Sequence, residues 1–271
     1  MTAVAASPVV IARTGRHRKP QLSSVQQWLA LSGRNVHTMW SHGQIFVAVL
    51  APLIFTLGFY LPLKFVMKVQ GIDYAQFVMP IIVLQAMAFT AITAAGRAAT
   101  EASNGMNARF QTMPIFPAVP LASRVTAMFI HAVISLVAAV TYGYVIGFEF
   151  IGGTSLAVGF CVLALGVGMT LAMAGDALGT MTKSPEITSQ SLTLPQLILG
   201  MFSSGFVPES QFPEWSQGFV RNQPISQFSV SMRSMAEGNI TLHQLTPSLL
   251  WIGGLLLVAV PLSIWANVRR G

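Results

Sequence analysis

Charged side chains are scarce in this sequence of 271 residues: they make up 8% of it, while apolar residues make up 53%. Because a soluble domain carries about 25% charged residues, this shortage excludes an ordinary soluble fold. Most of the chain must face lipid or other apolar helices. The single cysteine, Cys161, excludes an internal disulfide, a Cys-x-x-Cys redox pair and a zinc site built from several cysteines.

Catalytic motifs are also missing. The string nearest to a phosphate-binding P-loop runs from Gly179 to Ser184, but Thr182 precedes Lys183 where a P-loop has glycine. Any ATP that this protein uses must therefore be bound by another chain. The five histidines lack the His-Glu-x-x-His spacing of metalloproteases, and no pair of acids lies within an apolar run. We expect no metal, no cofactor and no catalytic residue on this chain.

Long apolar runs are abundant, and they predict an all-α integral membrane protein. A span needs about 20 apolar residues to cross about 30 Å of hydrocarbon, and every backbone amide in lipid needs an internal partner, which favours helices. No alternation of strand period suggests a barrel. Six runs qualify: Ile45–Val66, Phe77–Ala95, Ala122–Ile146, Ser155–Ala174, Ser189–Val207, which Pro195 weakens, and Pro247–Ala266.

The basic residues predict the topology, since the net charge of +7 comes from residues that flank apolar runs. With both termini in the cytoplasm, eleven of the fifteen Lys and Arg residues lie on the cytoplasmic side. The apolar stretch Val4–Ile11 is broken by Pro8 and precedes its basic cluster, the reverse of a signal peptide. We expect residues 1–21 to be a disordered cytoplasmic leader and 43–271 to be the six-helix transmembrane domain.

The segment 22–42 is too polar to span. Its apolar residues fall mostly at helical spacing, Ser23 or Ser24 is a suitable N-cap, and Trp28 and Trp40 favour a membrane interface. We expect a helix lying in the interface before the first span. The alternative is a packed cytoplasmic helix.

Two ionisable residues lie near membrane depth. His131 is about 12 Å along the third predicted span, and Asp176 lies near the inner end of the fourth, between Gly175 and Gly179. Intramembrane ionisable groups suggest function. The alternatives are a neutral histidine bonded between helices and an acid paired with a nearby base. The glycines, spaced four residues apart, allow close helix contact.

The loop at about 96–121 carries the most specific pattern. A short amphipathic helix is predicted between Gly105 and Pro114, preceded by Glu101. This spacing of an acid, a glycine and a proline resembles the segment after the second span of type-2 ABC exporter permeases. The resemblance implies a coupling helix that rests on an ATPase subunit. The residues matched to it are Glu101, Gly105, Arg109, Phe110, Met113 and Pro114.

The loop at about 208–246 also resembles this family. Its short sequence runs, at 204–208, 212–215, 222–225 and 232–233, follow one another in the order found in the family. Trp215, Phe219 and Phe228 are typical interfacial aromatics in a segment too polar to span. The resemblance implies a short re-entrant pair of helices on the outer face. The residues that carry it are Pro208, Pro213, Trp215, Asn222, Pro224 and Arg233.

Three runs, 97–100, 109–114 and 219–228, carry a narrower likeness. In these runs the chain resembles the daunorubicin/doxorubicin-resistance permeases of actinobacteria, and among them the B-type subunit of a mycobacterial lipid-export system. The resemblance implies a partner ATPase dimer that holds ATP and Mg, and a second permease, expected to be a related non-identical chain. Ser103 and Val230 stand where the family often has acids. The cargo implied is hydrophobic, a complex lipid or an amphipathic drug, exported by alternating access.

Two other functions compete with this interpretation. An ion-driven secondary carrier would show inverted repeats and broken helices near mid-membrane; Pro52 and Pro195 can break helices, but the two halves show no likeness. A lipid-modifying membrane enzyme would need clustered acids or histidines at the interface, which the sequence lacks.

Overall fold

A computed structural model of the chain describes residues 23–269, so the predicted leader lies outside the described part. Within 23–269 no β-strand is assigned, in agreement with the all-α prediction. The helices are α1 (Ser24–Ser41), α2 (Gln44–Phe55), α3 (Leu61–Val69), α4 (Tyr74–Ser103), α5 (Met106–Thr112), α6 (Val119–Ile146), α7 (Gly153–Thr182), α8 (Pro185–Met201), α9 (Glu214–Asn222), α10 (Pro224–Glu237) and α11 (Leu242–Arg269).

Five stretches of helix are long and apolar enough to cross a membrane: Gln44–Val69, Tyr74–Ser103, Val119–Ile146, Gly153–Thr182 and Leu242–Ala266. They contain the first four predicted spans and the sixth. Each observed stretch is longer than the predicted span that it contains. The first stretch comprises α2, a π-helical turn at Thr56–Tyr60, and α3. The π turn begins four residues after Pro52, whose carbonyl accepts a hydrogen bond from Thr56 Oγ1 at 2.8 Å.

The fifth predicted span, Ser189–Val207, is not confirmed. The helix there, α8, begins at Pro185 and ends at Met201, and it is not one of the five stretches long and apolar enough to cross a membrane. Pro185 starts the helix at its first turn, where a missing amide proton costs nothing. The apolar residues after Met201 continue the sequence pattern, but they form turns instead of helix. Six spans are therefore not confirmed among the described residues.

The bundle has two ends, which we name by their loops. The upper end holds the turns at Gly71, Gly147 and Gly238, and the lower end holds α5 and the turn at Lys183. At the upper end, the amides of Ile151 and Gly152 donate to the carbonyl of Ala236 at 2.8 and 3.0 Å. These bonds join the end of α10 to the start of α7.

The centre of the bundle is α4. Of its most apolar window 78% is buried, against 17% for α11, so α11 leaves most of its surface for lipid or another subunit. The core consists of α4 side chains packed against α6, α7 and α10, including Ile82, Met87, Leu136, Phe160 and Met232.

Close contact between α4 and α7 depends on two glycines. A Cβ added at Gly175 would lie 2.7 Å from the carbonyl oxygen of Ala91, and one at Gly179 would overlap the carbonyl of Ala95. Only hydrogen fits at these positions, so the two helix backbones approach more closely than ordinary side chains permit. The close helix contact predicted at these glycines therefore occurs between α4 and α7 of the same chain.

We predict that Gly179→Ala separates α4 from α7 and lowers the midpoint of thermal unfolding, since overpacking of a tight contact typically costs about 1–3 kcal/mol. Gly166→Ala in the same helix is the matched control, because its Cβ would meet Ile252 Cδ1 at an ordinary 3.9 Å. Unfolding in detergent, followed by intrinsic fluorescence, measures the difference. Equal midpoints for the two variants would contradict this packing.

Candidate functional site

The loop helix α5 lies at the lower end, where it joins α4 to α6. Gly105 precedes it with φ of 68°, a left-handed conformation that glycine adopts without strain. Met113 itself is extended, as expected for a residue that precedes proline. The predicted short helix between Gly105 and Pro114 is therefore present as Met106–Thr112, and the sequence chemistry explains both of its ends.

One face of α5 is open. Arg109, Met113 and Pro114 are exposed, whereas Phe110 is half-buried with the guanidinium of Arg34 at 5.4 Å from the centre of its ring. The basic and apolar residues predicted to face a partner thus lie on an accessible surface. Their contact with an ATPase stays a prediction.

Helix α1 packs against this loop and against α6. The indole Nε1 of Trp28 donates to Thr126 Oγ1 at 3.1 Å, and the amide of Phe116 donates to Gln27 Oε1 at 3.1 Å. Ser23 caps the helix in a capping box with Gln26, which confirms one of the two predicted caps. Val25, Leu29 and Trp40 remain exposed, so the helix has an apolar outer face as well as a packed inner one.

Glu101 does not face outward with the other matched residues. It lies in the last turn of α4, and its Oε2 accepts from Arg124 Nε at 2.9 Å and lies 2.8 Å from Arg124 Nη2. Arg34 Nη2 from α1 lies 3.9 Å from the other oxygen of Glu101. The acid therefore holds α1, α4 and α6 together directly behind the coupling-type helix.

Asp176 completes this cluster from α7. Its side chain is 2% exposed, and its Oδ1 lies 3.6 Å from Arg124 Nη1, whose own side chain is 7% exposed. Arg97 of α4 lies near enough to interact electrostatically with Glu101, Asp176 and Arg124. We call Arg34, Arg97, Glu101, Arg124 and Asp176 the lower ion cluster. Asp176 is thus paired with a nearby base, which is the second of the two interpretations of this residue given above.

The cluster was missed as a unit in the sequence analysis, which counted its arginines only as evidence for topology. One signal was available: Arg97 and Glu101 are four residues apart, so they share a helix face. No comparable signal links Arg124 or Asp176 to that face, because they lie on other helices.

His131 is buried between α6 and α4. Its Nδ1 lies 3.1 Å from Thr90 Oγ1, an interhelical hydrogen bond of the kind expected for a structural histidine. Any role in transport stays a prediction.

At the upper end, α9 and α10 meet at Gln223, which sequence reasoning overlooked. The side-chain nitrogen Nε2 of Gln223 donates to the carbonyls of Leu199 and Phe202. These carbonyls lie at the end of α8, where the helix supplies no further amide partners. Ser226 Oγ also accepts from the amide of Ser204 at 3.0 Å. The junction of α9 and α10 is thereby fastened to the end of α8.

The external residues matched to the family have separate positions. Pro213 and Pro224 begin α9 and α10, Asn222 ends α9, and Trp215 is 83% exposed. Pro208 precedes a single 3₁₀ turn at Glu209–Gln211. They do not form one cluster, but together they set the bends of the segment.

Arg233 is the exception, because it makes tertiary contacts. Its guanidinium donates to the carbonyl of Phe77 at 2.9 and 3.2 Å and stacks 3.7 Å from the centre of the Phe77 ring. Weaker bonds reach Ser204 and Gly205. Burial lowers the pKa of Arg233 to about 10, so it remains charged at neutral pH and ties α10 to α4.

An apolar cavity of about 280 Å³ lies between α4, α7, α8, α10 and α11. Its polar lining is mainly Gln85 and Gln196, which bond to each other at 2.8 Å. Pro195, predicted to interrupt the fifth span, also lines it. A compact apolar group fits this space better than a charged one.

Among residues 23–269 no group of three or more His, Cys, Asp or Glu side chains could hold a metal ion. The string that resembled a P-loop is the end of α7, where Lys183 donates its amide to the carbonyl of Gly179. Its amides do not form a phosphate cradle.

These features define a multi-pass helical membrane protein whose lower end presents a loop helix supported by buried ion pairs. The family model described as "ABC-2 family transporter protein" matches residues 66–265. The chain belongs to this family of ABC-2 transporter proteins.

Named relatives agree with this assignment. The chain is 35% identical to the "Doxorubicin resistance ABC transporter permease protein DrrB" of Mycobacterium tuberculosis, over 92% of this chain and 93% of the relative. It is 29% identical to the "Probable doxorubicin resistance ABC transporter permease protein DrrC" of the same organism, over 84% and 83%. It is 26% identical to the "Daunorubicin resistance ABC transporter permease protein DrrB1" of Streptomyces coeruleorubidus, over 82% and 78%.

The likeness to this permease family predicted from the coupling-type loop is confirmed. As an ABC-2 permease subunit, the chain is not itself catalytic, and a separate ABC ATPase hydrolyses ATP.

We predict that Arg124→Gln strongly destabilises the protein. It removes the cation that Glu101 and the buried Asp176 share, and breaking a buried pair in this way typically costs about 3–5 kcal/mol. Arg221→Gln is the matched control, because the partner of Arg221, Glu209, is at the exposed upper end. The midpoint of thermal unfolding should fall for Arg124→Gln and stay unchanged for Arg221→Gln. An equal loss in both variants would show that the lower ion cluster adds no more stability than an exposed ion pair.

Proposed function

We propose that this chain is one permease subunit of an ABC exporter, moving a hydrophobic cargo outward with energy from a separate ATPase. The observation that carries the proposal is the open face of α5, joined through Glu101 to buried ion pairs of the membrane bundle. An accessible helix with such a connection can pass a movement of its partner into the spans. Family membership supports the same conclusion.

The lower ion cluster supplies the mechanical link. Glu101 lies four residues before Gly105, and Arg124 connects it to α6 and to Asp176 in α7. A displacement of α5 therefore acts on α4 and α6, through which it reaches α7. Each bound state of the ATPase shifts the bundle only by its differential affinity for the two conformations.

The partners follow from this arrangement. An ABC ATPase dimer, holding ATP and Mg²⁺, contacts Arg109, Phe110, Met113 and the neighbouring Pro114; this chain holds no cofactor. A second permease completes the pathway, and we propose a related, non-identical chain. The existence of two differently named permeases among the relatives, DrrB and DrrC in one organism, supports that choice.

The cargo is a complex lipid or an amphipathic drug. Three relatives carry doxorubicin or daunorubicin resistance in their names. In this chain the cavity beside Gln85 and Gln196 is almost wholly apolar, and an uncharged ring system or acyl chain fits such a lining.

The topology places the lower end in the cytoplasm and the chain in the cell (inner) membrane, with both termini cytoplasmic and α1 in the interface. Helix α8 then rises from Ser189, beside Gly96, to Gly200, beside Gln85, and with residues 202–207 it makes a sixth crossing. Helix α9 descends to Gln223 and α10 returns, which gives a re-entrant hairpin. The bond between Gln211 and Gln70 at the upper end supports this path.

We predict that Arg109→Glu uncouples ATP hydrolysis from export while the protein remains folded. The side chain is exposed, so folding is unaffected, whereas a reversed charge opposes whatever acidic surface the ATPase presents. Export of a fluorescent anthracycline from vesicles should fall about tenfold, equal to about 1.4 kcal/mol of coupling. ATP hydrolysis by the purified complex should continue.

The control is Lys68→Glu, which reverses an exposed charge at the upper end. It should leave export unchanged. Normal export by Arg109→Glu would remove α5 from the coupling path. Cargo movement that persists in vesicles without any ATPase would favour a secondary carrier instead.

We predict that the two ends label from opposite sides of the membrane. In a Cys161→Ala background, which removes the only cysteine, Glu214→Cys should react with an impermeant maleimide on intact cells. Thr112→Cys should react only after permeabilisation. The reverse pattern would invert the proposed topology.

A further inference from the structure

A second cavity, of about 350 Å³, opens beside the lower ion cluster, between α1, α4, α6, α7 and α8, and most of its lining is apolar. Charged side chains and hydroxyl or amide groups line one part of it, and small α4 residues line another. The coupling path described above runs along one wall and does not occupy the space. Its lining includes Asn35, Thr38, Arg97, Glu101, Asp176 and Ser189.

Arg97 is the unusual member of this wall. Within residues 23–269 its guanidinium has no ion pair and no hydrogen bond, although it is partly buried and lines the cavity. A guanidinium presents five N–H donors in a planar fork, and removing such a group from water without partners is unfavourable. The site therefore has room and donors for an acceptor that the chain does not supply.

Glu101 and Asp176 attract Arg97 electrostatically, but among the described residues neither lies within ion-pair distance of its guanidinium. Glu101 is held by Arg124 through contacts at 2.8 and 2.9 Å, and Asp176 lies 3.6 Å from the same arginine. With Arg34 at 3.9 Å from Glu101, the lower ion cluster contains three guanidinium groups for two carboxylates. One positive charge is left over, and it lies on the cavity wall.

The depth of Arg97 indicates what kind of anion reaches it. Arg97 follows Tyr74 by 23 residues along α4, which is roughly 35 Å of helix, while the hydrocarbon core of a bilayer is about 30 Å thick. The guanidinium therefore lies at the level of the lower headgroups. Phosphate oxygens are the acceptors at that level, and an arginine fork binds them bidentately.

We propose that this cavity is a binding site for a phosphate group, with Arg97 as its principal ligand and the headgroup of an anionic phospholipid as its occupant. Asn35 of α1 and Ser189 of α8 also line the cavity. A bound headgroup would thus bridge α1, α4 and α8 at the end of the bundle where α5 is attached. The site is separate from the apolar cavity proposed for cargo.

The test uses the purified full chain in a maltoside detergent, which contains no phosphate. Thermal midpoints are measured with added dioleoyl phosphatidylglycerol, with dioleoylglycerol, which has the same chains but no phosphate, and with inorganic phosphate. At about a hundredfold excess over Kd, phosphatidylglycerol should raise the midpoint by roughly 5 °C. Dioleoylglycerol should not.

Arg97→Gln should abolish this rise, whereas Arg109→Gln, which removes an equal but exposed charge, should retain it. Should Arg97→Gln fail to fold, Ser189→Phe fills the cavity without changing any charge, and it should abolish the rise as well. A rise with inorganic phosphate alone, lost in Arg97→Gln, would support the phosphate site but assign it to free phosphate.

Equal rises in the wild type and Arg97→Gln would overturn the proposal, as would equal rises with the two dioleoyl lipids or no rise with any phosphate. No ATPase or cargo takes part in these measurements. The proposal can therefore fail while the exporter function stands.

Discussion

The close approach of α4 and α7 is the constraint on which the rest of the structure depends. Gly175 and Gly179 allow α7 to lie against the carbonyls of Ala91 and Ala95. That contact places Asp176 at the height of the last turns of α4. Without it, Arg124 would have no second carboxylate, and the loop helix would be joined to α4 and α6 but not to α7.

Arg124 and Arg233 show two different ways of holding a cation within the helix bundle. Arg124 lies between carboxylates from two helices, whereas Arg233 is held by backbone carbonyls and the ring of Phe77. Removal of either carboxylate leaves Arg124 partly uncompensated, so the lower end is sensitive to displacement. The carbonyls that hold Arg233 are fixed by the backbone, which makes the upper end a rigid anchor for α10.

Much of the candidate site could be predicted from local sequence. Gly105 and the residues up to Pro114 specify a short helix by their own backbone preferences, and Ser23 specifies a cap. The partners of Glu101 could not be predicted, because Arg124 and Asp176 reach it only through helix packing. The end of α8 at Met201 could not be predicted either. The apolar pattern of the sequence continues past Met201, whereas the hydrogen bond from Gln223 to the end of α8 stabilises a turn there.

The sequence by itself determined the class of fold, the positions of five spans and the family, because hydrophobic length and local backbone chemistry need no information about distant residues. It also determined that α5 is short and amphipathic. Only the tertiary structure decided which charges meet, which cavity holds Arg97 and how α9 and α10 fasten to α8. The physical reason is that these interactions join residues far apart in the chain, and their free energies depend on burial and distances that packing alone sets.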